Sequence, residues 1–274
     1  MQKSYMKTKE KVESYKTLGK VESKIITELS KKGIWIFDLC DVKKIIDSNE
    51  NHIYQIVHSL KNKGWIKSLT AGKYELISFS GKPREDLMVI ACNVLWPSYI
   101  SFWSALNFYK FTEQSPKKIF LATTKRKELK KMDSIEVQFI QIKPERFFGY
   151  TKIEGVCVAE KEKALIDSLL FPRYVSLDEI CKSLENAKKE ISFEKLIDYC
   201  IKIGNSSLNK RLGYLIELLK IKIEGRLIEK LHKNISKNFS LLDPTKTRSS
   251  KYSKRWFLNL NLSKEDLLHW KKIG

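Results

Sequence analysis

Between Asn49 and Gly64 the side chains sort into two faces. Ile53, Ile56, Val57 and Leu60 recur at i, i+3, i+4 and i+7, which predicts the buried stripe of a helix. Left outside that stripe are Asn51, His52, Tyr54, Gln55, His58, Ser59 and Asn62, an outer face of amides, imidazoles and hydroxyls with little charge until Lys61 and Lys63. Asn and Gln amides can pair bidentately with adenine, and Ser and Tyr hydroxyls can bond phosphates or base edges. The composition therefore suits reading of a DNA groove better than electrostatic adhesion. His52 and His58 lack the i, i+4 spacing of a helical metal pair, so they are read as solvated or DNA-facing, and no metal is expected.

The elements around this face predict how it is held. Val21, Ile25, Ile26 and Leu29 mark a first helix closed by Gly33, and Ile34-Trp35-Ile36 follows as a short strand. Phe37-Asp38 opens a second helix, and Ser48-Asn49-Glu50 supplies the N-cap of the third. After Gly64 the period changes: Trp65–Leu69 and Lys73–Ile77 flank a Thr70-Ala71-Gly72 turn as a hairpin. Helix, strand, helix, helix, hairpin is the order of a winged helix, with the third helix in the major groove and the wing placing Lys67, Thr70 and Lys73 near phosphate or the minor groove.

The chain has 274 residues, so two domains are expected, with a flexible basic arm at 1–18, a winged helix at 19–80 and a larger domain at 81–274. Ser80-Gly81-Lys82-Pro83 breaks both helix and strand and marks the boundary. A net charge of +20 favours polyanionic partners, nucleic acid first. Residues 1–80 hold 15 Lys and 9 acids, a net of +6, so most of the excess lies beyond the winged helix. The five scattered cysteines include no C-x-x-C pair, which points to reduced thiols, and no apolar run reaches the length of a membrane span. A cytoplasmic protein without membrane or cofactor is the expectation.

In the larger domain, Tyr99–Tyr109 reads as an aromatic-rich helix, Ile119–Thr124 and Ser134–Ile142 as strands, and Gly155–Val158 as a strand leading into a helix from Glu160 to Leu170. Four further helices follow, over Leu177–Ala187, Phe193–Ile201, Leu208–Leu219 and Gly225–Ile235. A basic stretch then precedes a final strand, Arg255–Leu260, and a short helix from Ser263. The fold class is α+β: an N-terminal winged helix, then a mixed α/β domain with a helical C-terminal part. Phe147, Phe148 and Tyr150 around Gly149 read as a buried aromatic corner, with Ala164, Leu165, Ile166 and Leu169 as a packed helix face. Two basic tracts are candidates for phosphate or partner contact: Lys125-Arg126-Lys127, and Lys251, Lys254 and Arg255 interleaved with Tyr252 and Trp256.

Four segments in order, Tyr99-Ile-Ser-Phe-Trp-Ser-Ala-Leu106, Phe120-Leu-Ala-Thr-Thr-Lys-Arg126, Arg146-Phe-Phe-Gly-Tyr150 and Glu162-Lys-Ala-Leu-Ile-Asp167, resemble the AbiEi-type antitoxin and transcriptional-regulator family. With the winged helix the resemblance spans roughly residues 18–260; it departs where Glu160-Lys161 stand in place of the family's Ser-Pro. The resemblance implies a repressor that binds inverted repeats in its own operator as double-stranded DNA. It also implies a second domain that antagonises a cognate nucleotidyltransferase-like toxin.

Rival readings come from other classes. A stand-alone winged-helix regulator without a toxin partner has the same sequence features, and a winged helix used only for protein contact would leave the third helix solvated. A metal-dependent nuclease would use Asp133 with Glu136, but Gln138 occupies the place of its lysine. Phosphate-cradling glycine patterns and H-E-x-x-H are absent, so no catalytic residue is assigned and a non-enzymatic protein is expected.

Overall fold

The chain divides into two compact units, Met1–Val94 and Leu95–Gly274, a boundary later than the Pro83 break. The computed structural model describes residues 17–77, 87–126, 130–132 and 135–272; most of the 1–18 arm and the Ser80–Pro83 boundary lie outside them.

The first unit comprises α1 (Lys20–Lys31), β1 (Ile36–Asp38), α2 (Leu39–Lys43), α3 (Glu50–Asn62), β2 (Ile66–Thr70), β3 (Lys73–Leu76) and α4 (Leu87–Val94). Its three strands form an antiparallel sheet in the order β1-β3-β2, and the unit is a winged helix. Ile25, Ile26 and Leu29 of α1 and Ile53, Ile56, Val57 and Leu60 of α3 share one core with Phe37, Val42, Ile66 and Leu76. The first strand sits later than Ile34–Ile36, and α2 starts at Leu39 rather than Phe37. Phe37 is fully buried as a strand residue, and Asp38 is needed outside the helix as its cap. Its carboxylate accepts the Asp41 N–H at 3.2 Å while the Asp41 carboxylate accepts the Asp38 N–H at 3.2 Å, a reciprocal capping box.

One carboxylate clasps α1 to α3. Glu22, only 7% exposed, accepts the Gly19 N–H at 2.7 Å, the Ser59 hydroxyl at 2.7 Å and the Lys63 ammonium at 2.6 Å. Burial alone would raise its pKa; the hydrogen bonds from Lys63, Gly19 and Ser59 outweigh that and hold the carboxyl below its ordinary value of 4.5.

The second unit continues with β4 (Ser98–Ile100), α5 (Phe102–Phe108), β5 (Lys118–Thr123), β6 (Lys130–Met132), β7 (Ile135–Gln141), β8 (Tyr150–Ile153) and β9 (Val156–Ala159). Then come α6 (Lys161–Leu170), α7 (Leu177–Ala187), α8 (Phe193–Lys202), α9 (Ser206–Leu218), α10 (Gly225–Lys233), β10 (Ser240–Leu241), β11 (Tyr252–Ser253), β12 (Leu258–Asn259) and α11 (Lys264–Leu267). The six early strands make a mixed sheet, β6-β7-β5-β4-β9-β8, in which β5–β7 and β4–β9 run parallel. The last three form a small sheet, β10-β12-β11.

Three expectations for this unit change. Tyr99 belongs to a strand and not to a helix: the chain turns at Ser101, the N-cap of α5, and at Phe102, its first residue, where φ is +55°. The strand expected over Arg255–Leu260 shrinks to Leu258–Asn259, because Phe257 also takes a positive φ, +48°. The aromatic corner of Phe147, Phe148 and Tyr150 is half-buried, and Tyr150 opens β8. All five cysteines are free thiols, and no helix among the described residues is long and apolar enough to cross a membrane.

The small sheet is locked to α9 by a ring on bare backbone. Trp256 is fully buried, its indole N–H donating to Glu217 at 2.7 Å and its ring stacked on His232 at 4.1 Å. A Cβ on Gly213 would lie 2.0 Å from the indole, so only glycine fits there.

Two outcomes follow for stability. Glu22→Gln should destabilise the winged helix by about 1–3 kcal/mol in urea denaturation, since Lys63 loses its charged acceptor. Because the native pKa of Glu22 is depressed, this contribution is complete above its ordinary 4.5 and drains as pH falls through the native value, so the wild-type advantage should fade in acid. Gly213→Ala should cost the second unit about 1–3 kcal/mol or more through overpacking, read as a lower denaturation midpoint.

Candidate nucleic-acid interface

The outer face of α3 is built from its two ends inward. Asn49, in extended backbone, caps the helix by accepting the His52 N–H at 2.9 Å, and the His52 ring shares a 2.7 Å hydrogen bond with the Ser48 hydroxyl. The buried stripe turns Asn51, His52, Tyr54, Gln55, His58 and Asn62 to the exposed side, with Tyr54 56% exposed. His58 and Asn62 hydrogen bond to each other at 3.2 Å, one turn apart. Asn51 and Gln55, also one turn apart, leave the central part of the face with two exposed amides.

Not every expected contact residue joins that face. Ser59 lies at the edge of the stripe beside α1, and its hydroxyl is given to Glu22, so it serves the core clasp. In the wing, the Lys73 ammonium is 3.1 Å from Asp38, which ties β3 to the cap of α2. Burial would raise the Asp38 pKa, but the bonds from Lys73 and the Asp41 N–H prevail and lower it. The Thr70 hydroxyl is half-buried and donates to the Ala71 carbonyl at 3.3 Å. Lys61 and Lys67 are exposed, the first on α3 and the second on β2.

The basic tracts lie on different sheets of the second unit. Lys125 and Arg126 are exposed just beyond β5, and Lys127 lies outside the described residues, as does Asp133. Glu136 pairs with Lys118 across β5 and β7 at 3.3 Å, a cross-strand ion pair. Lys251 and Lys254 are exposed on either side of β11, and the Arg255 guanidinium is 2.8 Å from Glu217.

Segments far apart in sequence meet at one buried point. Lys163 and Asp167, one turn apart on α6, form an ion pair with no more than 1% exposure on either side chain. Asp167 also accepts the Tyr99 hydroxyl at 3.0 Å and the Ser101 hydroxyl at 2.9 Å, while Lys163 donates to the Tyr99 oxygen at 3.0 Å. The ammonium faces the Phe148 ring at 5.0 Å, and Phe147 and Tyr150 pack on Tyr99 at 5.1 and 5.0 Å. Gly149, at φ +68°, lets this loop close in: a Cβ there would lie 2.9 Å from the Tyr199 ring and 3.3 Å from Lys163. Burial, the adjacent Asp167 carboxylate and the hydrogen bond to it push the Tyr99 pKa well above its usual range. Glu162 points to α8 instead, accepting the Ser192 N–H at 3.0 Å, with Lys195 at 3.4 Å. The i, i+4 spacing of Lys163 and Asp167 was the available signal for the pair. Nothing in the spacing announced Tyr99 and Ser101 as its partners.

No protein-family model and no curated protein matches this chain. Among solved structures, the chain is similar to the RV2827C protein from Mycobacterium tuberculosis, with a TM-score of 0.61 and 12% identity over 90% of this chain and 94% of that one. At that identity the similarity is one of fold.

Removing one half of the buried pair should be severe. Asp167→Ala strands the Lys163 ammonium and should cost about 3–5 kcal/mol of second-unit stability, whereas Lys163→Met with Asp167→Leu should recover much of that loss in the same denaturation assay.

Proposed function

We propose that this protein is a DNA-binding repressor of the antitoxin kind, reading an operator through α3 of its winged helix. The observation that carries the DNA half of this reading is the outer face of α3. It is an exposed run of amides and imidazoles, with Tyr54 among them, on a helix anchored by its buried stripe and by Glu22. Such a helix presents adenine-pairing groups at one-turn spacing, the geometry that major-groove readout uses. Lys61 and Lys67 supply charge for phosphate beside it. The antitoxin half, neutralisation of a nucleotidyltransferase-like toxin by the second unit, is supported by the AbiEi-type resemblance. The four segments that carry it are those that supply Tyr99 and Ser101, β5, Phe147–Tyr150, and the Lys163–Asp167 pair.

The test is a salt-dependent binding titration that compares the native upstream region with random duplex. Asn51→Ala with Gln55→Ala should weaken binding to the upstream region by about 1–3 kcal/mol per lost bidentate contact and leave random duplex nearly unaffected. Lys61→Ala with Lys67→Ala should weaken both duplexes alike and reduce the salt slope by about one per lost phosphate contact. Equal affinity of the wild type for both duplexes would refute operator reading.

A further inference from the structure

The small sheet of the second unit carries an exposed aromatic cluster in a Lys- and Arg-rich segment. Phe239, just before β10, is 44% exposed, and Tyr252, on β11, is 49% exposed. Their rings meet edge to face at 5.2 Å, and Phe257 joins Phe239 at 5.7 Å. Phe257, at a positive φ of +48°, is half-buried where its neighbour Trp256 is fully buried.

The segment that carries the rings is rich in positive charge. From Gly225 to Leu262 the chain has nine Lys and Arg against two acids, Glu229 and Asp243. Asp243 is buried, and its carboxylate accepts from Thr245. Lys237, Lys251 and Lys254 are exposed and enter no ion pair among the described residues, whereas Arg255 is held by Glu217. His232, beneath Trp256, has its pKa lowered by burial and by the nearby Arg255, so the imidazole belongs to the core stack and not to the charged rim.

We infer that this surface is a second nucleic-acid site, separate from the winged helix, which takes single-stranded DNA or RNA by stacking unpaired bases on Phe239 and Tyr252 while Lys237, Lys251 and Lys254 follow the backbone phosphates. Exposed π faces combined with unpaired cations are the composition of strand-binding grooves that tolerate any base. A protein interface of this size would be expected to have a dry, charge-depleted centre, and a membrane-seeking surface a broad apolar face. Neither matches exposed lysines one or two residues from the rings in the chain.

The experiment is a fluorescence-anisotropy titration of the full chain with labelled oligo-dT and with a duplex of equal length. Phe239→Leu with Tyr252→Leu keeps the apolar volume and removes the π faces; it should weaken oligo-dT binding by about tenfold or more. Tyr252→Phe should bind as the wild type does, and Asn51→Ala with Gln55→Ala should leave oligo-dT binding unchanged, so failure of the winged-helix reading stays distinguishable. A double-leucine variant with an unshifted thermal midpoint and undiminished oligo-dT affinity would overturn the site. So would a wild type that binds polyglutamate as tightly as oligo-dT, which would make the surface a dock for acidic protein. Should the double variant lose its thermal midpoint, Lys251→Gln with Lys254→Gln gives the same decision through loss of oligo-dT binding at low salt.

Discussion

An ammonium group with no access to water has to find its entire solvation shell inside the protein, and the second unit is arranged around this requirement at Lys163. Asp167 supplies the opposing charge, the Tyr99 oxygen accepts a further N–H, and the Phe148 ring offers its negative face, while the Ser101 and Tyr99 hydroxyls donate to Asp167 and hold it in place. Those partners come from β4, from the turn into α5 and from the loop before β8, so satisfying one charge fixes where α6 lies against the sheet. Residues Glu162 to Leu169 of α6 are buried on every side, a consequence of sheet and helices closing on it from both directions. An apolar pair of similar volume could fill the same space, but it would not dictate which strand and which loop must meet there.

The first unit uses the same logic at smaller cost. Glu22 lies near the surface edge of its core, where three donors converge on it from the chain start of α1 and from α3. The clasp fixes the azimuth of α3 about its own axis. That azimuth decides which residues point outward, and so the hydrophobic stripe and the Glu22 clasp together set the exposed face. Asn51 and Gln55 are presented because Ser59 and Lys63 are held back.

Local pattern carried the winged helix well. The stripe of α3, its Asn49 cap and the change of period after Gly64 are short-range signals, and the elements appear within a residue or two of where those signals put them. The second unit was legible in its helices and in β5, β7 and β9, but not in its pairing. Parallel neighbours such as β4 and β9 are joined by contacts that no window of sequence contains. Strands of two or three residues, β6, β10 and β11, are too short to display alternation, and Tyr99 and Ile100 merge with the apolar run of α5 unless the bend at Phe102 is known. At the candidate interface, residue type alone placed Ser59 and Lys73 among the contacts; the structure gives Ser59 to the buried Glu22 and Lys73 to the half-buried Asp38, because a hydroxyl or ammonium beside an unsatisfied acid pairs with it before any ligand arrives.

Lys73 is therefore an occupied cation. Any anion that recruits it from outside has to displace Asp38, and the freed carboxylate would then sit at the opening of α2 with only backbone partners. The wing and the α2 turn form a competition assay within one unit, in which an external ion and an internal one contend for the same ammonium. The positive charge of the wing is thus smaller than its lysines suggest until that exchange occurs.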